Sequence, residues 1–485
     1  MRAGRATPEG TRRRADGRTG YRRLGKTDLT VSTVGFGGYR TGRKSPEHRA
    51  ALEAALAAGV NLIDTSSNYM LGDSERLIGE VLAASGIPRD EIVVVSKIGY
   101  VQGPNLDLAQ RRKADGHPFP EMVEYMDGCW HCISPEFLDD QLIRALDRLD
   151  LETIDVLLLH NPEYFLTDAV HRGHADDLEA TRAAFYDRLK RAFEYLDGAL
   201  AAGRIGAYGV SSNTCVSPAD APEATSVTRM VEASSGRMGV LQLPYNLFET
   251  GALLEANTSV GTALDAARTH DLGVLVNRPL NAMANHRLIR LADPPRAGAP
   301  GSDEELLARV DALGAQEVAL AAGAPGVSGP QIAILLQERW DELVFPQAFQ
   351  QVFRFEIVPE AQRGLRLLVD ALGDPPDPSQ LGRIQAYQDA LNGLIEPLQA
   401  RASRQNPELA AQIRAAMQDD LPESLRQESL SRIALGFVAS TPGVSCVLCG
   451  MRQVTYVQDA VGVMALPPLP DVVGVAQNLA AARSS

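Results

Sequence analysis

The 485-residue chain is 45% hydrophobic with a formal net charge of -14, which excludes an intrinsically disordered protein and leaves room for one large core or two ordinary ones. That acidic balance argues against a nucleic-acid partner, which needs Lys and Arg gathered on one face, and points to small-molecule chemistry. Five cysteines make no disulfide framework, no apolar stretch opens the chain as a signal peptide and no run of eighteen apolar residues offers a membrane span, so a cytoplasmic protein with no membrane partner is expected.

Residues 1–20 hold six Arg against Glu9 and Asp16 without a periodic apolar pattern and read as a disordered, solvated basic tail. From Tyr21, short β-rich runs alternate with amphipathic helical stretches, the pattern of βα units with a parallel sheet. The runs are TVGFGG (33–38), NLIDTS (61–66), IVVVSK (92–97), IDVLLLH (154–160), YGVSS (208–212), VLQLPYN (240–246), VLVNRPL (274–280) and VSCVLCG (444–450). Helical patterns such as HRAALEAALAAG and SERLIGEVLAAS stand between them, several closed by the Gly expected at a helix C-cap. Eight such units close into an α/β fold, the (β/α)₈ TIM barrel.

The barrel is assigned to residues 21–294 and 426–467, and residues 468–485 to a C-terminal tail. About 160 residues separate the seventh run from the eighth, far more than a barrel connection needs. Pro/Gly/Ala-rich joints and stretches such as RIQAYQDALNGLIEPLQARA make residues 295–425 a mainly helical insertion. It offers no nucleophile or metal cluster, so a cap, an oligomer contact or a partner surface is expected rather than a catalytic domain.

A second long connection follows the third run and contains CWHC (129–132). Cys129 and Cys132 could combine with Cys446 and Cys449 in a zinc site. The second pair lies in a strand, however, where a spacing of three turns the side chains to opposite faces, unlike the tight turn zinc pairs need. No metal is expected, and the thiols read as packed bystanders. The loop itself reads as a specificity loop at the catalytic face, with Trp130 and His131 as substrate contacts, or as simple packing.

In such a barrel the active site lies at the C-terminal ends of the strands. There NLID ends in Asp64, IVVVSK in Lys97 and IDVLLLH in His160, with Tyr69 five residues beyond Asp64. Only five of the 47 Lys and Arg are Lys. A lysine flanked by Val93, Val94 and Val95 is costly without a carboxylate, and Asp64 on the neighbouring strand is its expected partner. The ammonium is expected to lower the Tyr69 pKa toward neutrality, so that Tyr69 exchanges a proton with a substrate oxygen while His160 orients that oxygen or extends the relay.

Segments GFGGYRTG, NLIDTSSNYMLGDSERLIG, IVVVSKIGY, LDRLDLETIDVLLLHNPE, GAYGVSSNT, LQLPYNLFE, VLVNRPL and ALGFVASTPGVSCVLCGM, one per strand, resemble the aldo-keto reductase superfamily in its order. The resemblance implies a catalytic tetrad of Asp64, Tyr69, Lys97 and His160, and hydride transfer between a nicotinamide and a carbonyl, either aldehyde, ketone or aldose. It places the cofactor's carboxamide on Ser211 and Gln242, with Ser212 where many members have Asn. Gly38, Tyr39, Arg278, Pro279, Leu280, Gly450 and Arg452 fall at further cofactor positions, and Tyr39 also at a substrate position. VLVNRPL has Asn277 and Arg278 where many relatives carry a stacking aromatic. Arg452 could hold a 2′-phosphate, so NADP is expected ahead of NAD, unless that side chain only caps a loop. Oxidation of aldoses at C1 is an alternative direction, and a cofactor-sensing, partner-binding subunit an alternative role.

Overall fold

All eight apolar runs become strands, each parallel to its sequence neighbour, and the last closes on the first. They are β1 Val34–Gly37, β2 Leu62–Asp64, β3 Val93–Ile98, β4 Ile154–His160, β5 Ile205–Ser211, β6 Val240–Pro244, β7 Gly273–Asn277 and β8 Cys446–Cys449. The computed structural model describes residues 2–173, 177–284, 287–293, 302–324, 326–344, 349, 352–372, 377–402, 406–417 and 420–484. The strands are rich in Val, Ile and Leu because helices cover the outside while side chains fill the lumen, leaving no solvated face.

Strand alternation decides which residues reach the lumen. Leu62, Val93, Val95, Val156, Leu158, Val240 and Leu275 share one buried cluster. A hairpin pairing Tyr21–Arg23 with Thr30–Ser32 contributes Leu24 and Val31 to the same cluster and so seals the N-terminal end. Continued two residues at a time, these inward rows end in Asp64, Lys97, His160 and Gln242. Ser211 ends the row of Ala207 and Gly209.

Residues 1–20 are not the solvated tail expected from their composition. Pro8–Ala15 form a helix whose N-cap Thr7 accepts from the Gly10 amide, and Ala6 and Thr11 are buried. The arginines find remote partners: Arg13 pairs with Asp90 at 2.9 Å and Glu91 at 2.8 Å. Such partners lie beyond any local sequence window. Residues 468–485 likewise carry a helix, Val472–Ser484, with Val475, Ala476 and Leu479 buried.

The chain divides into two compact units, Met1–Ala282 with Ala416–Ser485, and Met283–Ala415. The second unit begins and ends earlier than the 295–425 read from the Pro/Gly-rich joints. Its start falls within the strand pair Asn281–Ala284 and Arg287–Arg290, which the apolar pattern does not distinguish from connection. The helices Asp303–Ala322, Ile332–Glu338, Val358–Asp370 and Pro378–Ala402 surround their own core of Val310, Leu313, Leu336, Tyr387 and Leu394. Within it the buried Glu317 accepts from the Ile332 amide and the Tyr387 hydroxyl, both at 2.8 Å. Among the described residues no helix is long and apolar enough to cross a membrane.

Candidate active site

The four ionisable groups at the strand ends converge. Lys97, fully buried at the end of β3, spends its three ammonium hydrogens on Asp64 Oδ2 at 2.7 Å, the Thr65 carbonyl at 2.9 Å and the Tyr69 hydroxyl at 3.1 Å. The other oxygen of Asp64 accepts from Gln242 Nε2 at 2.9 Å, and Gln242 Oε1 accepts from Ser211 at 3.3 Å. The His160 ring stands edge-on to Tyr69, 6.0 Å between centroids, with its Nδ1 2.9 Å from Ser66 Oγ. Tyr69 reaches the site from a turn in which Met70 and Leu71 adopt left-handed φ of 50° and 57°. Such backbone is unusual for non-glycine residues and recurs at functional turns.

Burial pushes the Asp64 carboxyl up, against the pull of Lys97. Burial also works against the Lys97 ammonium, but Asp64 and Tyr69 outweigh it and hold its pKa above the ordinary value. With N–H donors on both oxygens, Asp64 serves as the carboxylate partner of that ammonium. The expected fall of the Tyr69 pKa does not occur. Burial raises it first, Lys97 pulls it back only in part, and Asp64 adds to the rise, so Tyr69 is a protonated phenol at neutral pH. Burial, then Lys97 and His131, hold His160 well below the ordinary imidazole value, which makes it a neutral ring. The arrangement can offer a carbonyl oxygen a phenolic proton backed by a fixed cation, beside a neutral imidazole.

The other expected residues are dispersed. Tyr39 is 57% exposed at the mouth and meets the Tyr69 ring edge-on at 5.2 Å. Gly38 donates its amide to the Asp64 carbonyl at 2.7 Å, and a Cβ there would lie 2.8 Å from that carbonyl. Arg278, at φ 52°, pairs with Glu249 at 3.1 Å. Pro279 and Leu280 are buried behind it, and Gly450 and Arg452 follow β8 on either side of the buried Met451. Ser212, in contrast, points out of the barrel row, its hydroxyl 3.1 Å from Thr225 Oγ1. Trp130 lies under Lys113, whose ammonium is 5.4 Å from the ring.

His131 is 1% exposed. It sits on the middle strand of a small sheet formed by Tyr100–Val101, Val123–Met126 and Cys129–His131, and its Nε2 lies 2.8 Å from the His160 carbonyl. This contact supports the His160 backbone. Cys132 turns toward Ser134 at 3.3 Å, whereas Cys446 belongs to the lumen cluster.

Residues the sequence did not single out complete the surroundings of His160. Tyr100 stands edge-on to its ring at 4.7 Å and accepts from Asn161 Nδ2 at 2.8 Å. Glu163 holds the Asn213 amide at 2.6 Å. Their one local signal is polarity immediately after β3 and β4, in KIGY and HNPEY.

A nicotinamide dinucleotide, the group the sequence resemblance implies, fits this mouth chemically. Among the described residues, Asn277 Oδ1 and Arg278 Nε are buried without a hydrogen-bond partner, and at Gly450 none stands within 4 Å of where a Cβ would be.

Comparison with known proteins identifies the family. The model of the Aldo/keto reductase family matches residues 33–292. The chain is 31% identical over 232 residues to the D-threo-aldose 1-dehydrogenase of a Pseudomonas species, covering 43% of this chain and 68% of that protein. It is 32% identical over 154 residues to aldo-keto reductase AMT2 of Alternaria alternata, covering 30% of this chain and 41% of that one, less than half its length. Among solved structures, aldo-keto reductase AKR11C1 from Bacillus halodurans aligns over 96% of each chain at 15% identity with a TM-score of 0.49. The chain belongs to the aldo/keto reductase family.

Proposed function

We propose that the protein is an NAD(P)H-dependent oxidoreductase acting on a small carbonyl or sugar substrate, with Tyr69 as the acid/base. The observation that carries this reading is the single buried ammonium of Lys97, shared between Asp64 and the Tyr69 hydroxyl beside a neutral His160. A bound nicotinamide would supply or accept the hydride. Ser211, Gln242, Arg278 and the backbone around Gly38 and Gly450 are the residues that would hold it. In the reductive direction Tyr69 donates its proton to the carbonyl oxygen as charge develops there. Lys97 then stabilises the phenolate that remains, while His160 fixes the approach of the oxygen. The guanidinium of Arg452, suited to a 2′-phosphate, favours NADP over NAD.

Similarity to a D-threo-aldose 1-dehydrogenase supports aldose oxidation as the second direction, in which the Tyr69 phenolate accepts the proton. Cys129, Cys132, Cys215 and Cys446 form no disulfide, which supports a reducing compartment, the cytoplasm.

The test is cofactor consumption with NADPH, NADH and their oxidised forms over aldehydes, ketones, quinones and aldoses, for wild type and Tyr69→Phe. Turnover by wild type and a fall of roughly 10²–10⁴-fold in the variant, with cofactor binding retained, is expected. Binding without turnover by either protein would instead identify a cofactor-sensing subunit.

A further inference from the structure

Tyr69 sits at the head of a strained turn, in which Met70, Leu71 and Gly72 take φ of 50°, 57° and 86°. Three successive left-handed residues persist only where their surroundings hold them, and Met70 and Leu71 are both exposed. The hold lies at the start of the helix that follows, Asp73–Ala84. Ser74 accepts from the Thr65 hydroxyl at 2.9 Å and donates to the Gly38 carbonyl at 3.0 Å, which ties the helix to the loops after β1 and β2. Glu75 ties it to β3. Its fully buried carboxylate accepts from Ser96 Oγ at 2.6 Å on one oxygen and from Arg148 Nε at 2.5 Å on the other. Ser96 is the neighbour of Lys97 on β3 and faces out of the barrel where Lys97 faces in.

Arg148 comes from the last turn of the helix Pro135–Leu149 and also reaches the strained turn. A Cβ at Gly72 would stand 2.7 Å from its Cδ and 2.8 Å from its Nε, so only glycine lets this side chain lie against the backbone there. The two helices approach closely again at Gly79, where a Cβ would lie 2.5 Å from the Leu149 carbonyl oxygen. Burial pushes the Glu75 carboxyl up, against the pull of Arg148 and Ser96, so this carboxylate depends on both donors.

Resting on the reading of Tyr69 as the acid/base, we propose that Glu75, held by Arg148 and Ser96, is a positioning residue that fixes the 3.1 Å contact between the Tyr69 hydroxyl and the Lys97 ammonium. Its charge-assisted bonds join the two elements that bring those groups together, the Tyr69 turn and β3. Without them the turn keeps its tie through Ser74 but loses the one to the strand of Lys97. Its left-handed residues then relax, and the phenol moves off the cation. A small displacement of the acid slows the chemical step while leaving the cofactor site intact.

The test measures NADPH Kd, and kcat per NADPH-binding site, with 4-nitrobenzaldehyde, an activated aldehyde that needs no substrate-specific contact. The variants are Glu75→Gln, Arg148→Lys, Tyr69→Phe and the doubles that combine Tyr69→Phe with each of the first two. Counting sites by fluorescence titration removes any loss of folded protein. In Glu75→Gln, kcat is expected to fall about tenfold or more with Kd unchanged, and in Arg148→Lys by less. Residues that act through one group are not additive, so neither substitution should slow Tyr69→Phe further. A kcat per site unchanged in Glu75→Gln overturns the proposal, and so does a double variant slower than Tyr69→Phe by the same factor as the single one. Should Glu75→Gln not fold, Arg148→Lys carries the same two outcomes. If Tyr69→Phe turns over like wild type, the reading of Tyr69 fails and the proposal with it. If Tyr69→Phe is impaired while Glu75→Gln and Arg148→Lys match wild type, only the positioning inference fails.

Discussion

The Lys97 ammonium lies 3.1 Å from the Tyr69 hydroxyl and 4.7 Å from the centroid of the Tyr69 ring, so one buried cation serves both the phenol and the Asp64 carboxylate. The two ends of this contact predict opposite phenotypes. Tyr69→Phe removes one hydrogen bond from an ammonium that keeps Asp64 and the Thr65 carbonyl, and costs about 1 kcal/mol of stability while abolishing most turnover. Lys97→Met leaves the Asp64 carboxylate buried with only Gln242, and costs roughly 3–5 kcal/mol. Adding Asp64→Asn to Lys97→Met is expected to restore part of that stability but no activity. Denaturant unfolding of the three variants beside cofactor-consumption assays checks this, and equal stability of Tyr69→Phe and Lys97→Met would contradict it.

Glu163 predicts a pH dependence. Its carboxyl is 3% exposed. One oxygen accepts the Asn213 amide at 2.6 Å and the other has no partner among the described residues. Burial raises its pKa to about 7, against the opposing hydrogen bonds of the Asn213 turn. The folded value exceeds the ordinary one of 4.5, so the folded protein keeps a proton that the unfolded chain releases. The resulting stabilisation is full below the unfolded value and is lost as pH rises through about 7, a change of roughly 3 kcal/mol. Glu163→Gln cannot titrate and removes that slope. The difference in thermal midpoint between wild type and variant, measured at pH 5 and pH 8, should therefore change with pH; parallel profiles would exclude the assignment.

The barrel and the convergence of Asp64, Lys97 and His160 were legible because both follow from strand alternation. An inward row of Val93 and Val95 places Lys97 in the lumen, and Leu62 does the same for Asp64, so an ionisable residue closing an apolar run is a local signal. What surrounds the tetrad was not legible, because Ser66, Tyr100 and Glu163 acquire their roles from partners on other loops. Tyr69 shows a different limit. The sign of its pKa shift depends on how much burial competes with Lys97, and burial at a strand end is a tertiary property. The fate of the basic N-terminal residues was hidden for the same reason, since Asp90 and Glu91 face them only after folding.

His131, read from CWHC as a substrate contact, makes a structural prediction through Gly99. A Cβ at position 99 would stand 2.5 Å from the His160 carbonyl oxygen and 2.7 Å from His131 Nε2. The backbone oxygen cannot yield without moving the strand end that carries His160. Gly99→Ala is thus expected to cost about 1–3 kcal/mol of stability. It should also lower kcat by tenfold or more through misplacement of the imidazole, with the cofactor Kd unchanged. Burial holds the His131 pKa at about 4, so the ring is a neutral donor to that carbonyl. His131→Gln, which keeps an N–H donor, should retain more kcat than His131→Phe, which keeps only the ring. Steady-state kinetics with substrate and cofactor varied separately distinguishes the two effects.

The N-terminal segment supports the barrel through Asp155. The Ala6 amide donates to Asp155 Oδ1 at 2.6 Å, while Oδ2 accepts from the Val94 amide at 2.7 Å and from Arg89 at 2.6 Å. Burial raises the Asp155 pKa against the pull of Arg89, so this carboxylate depends on every donor it has. Thr11 adds a second tie by accepting from the Thr30 amide at 3.0 Å, beside the hairpin that seals the lumen. Removing residues 2–20 exposes the barrel end and leaves one side of a buried carboxylate without its donor, a loss of about 1–3 kcal/mol for that group alone. The thermal midpoint of the truncated protein should fall by several degrees. Asp155→Asn in the full chain should reproduce part of the fall, because its amide can accept from only one side. Truncation that leaves the midpoint where it was would mean the segment is the solvated tail its composition suggests, and that the Asp155 contact contributes nothing.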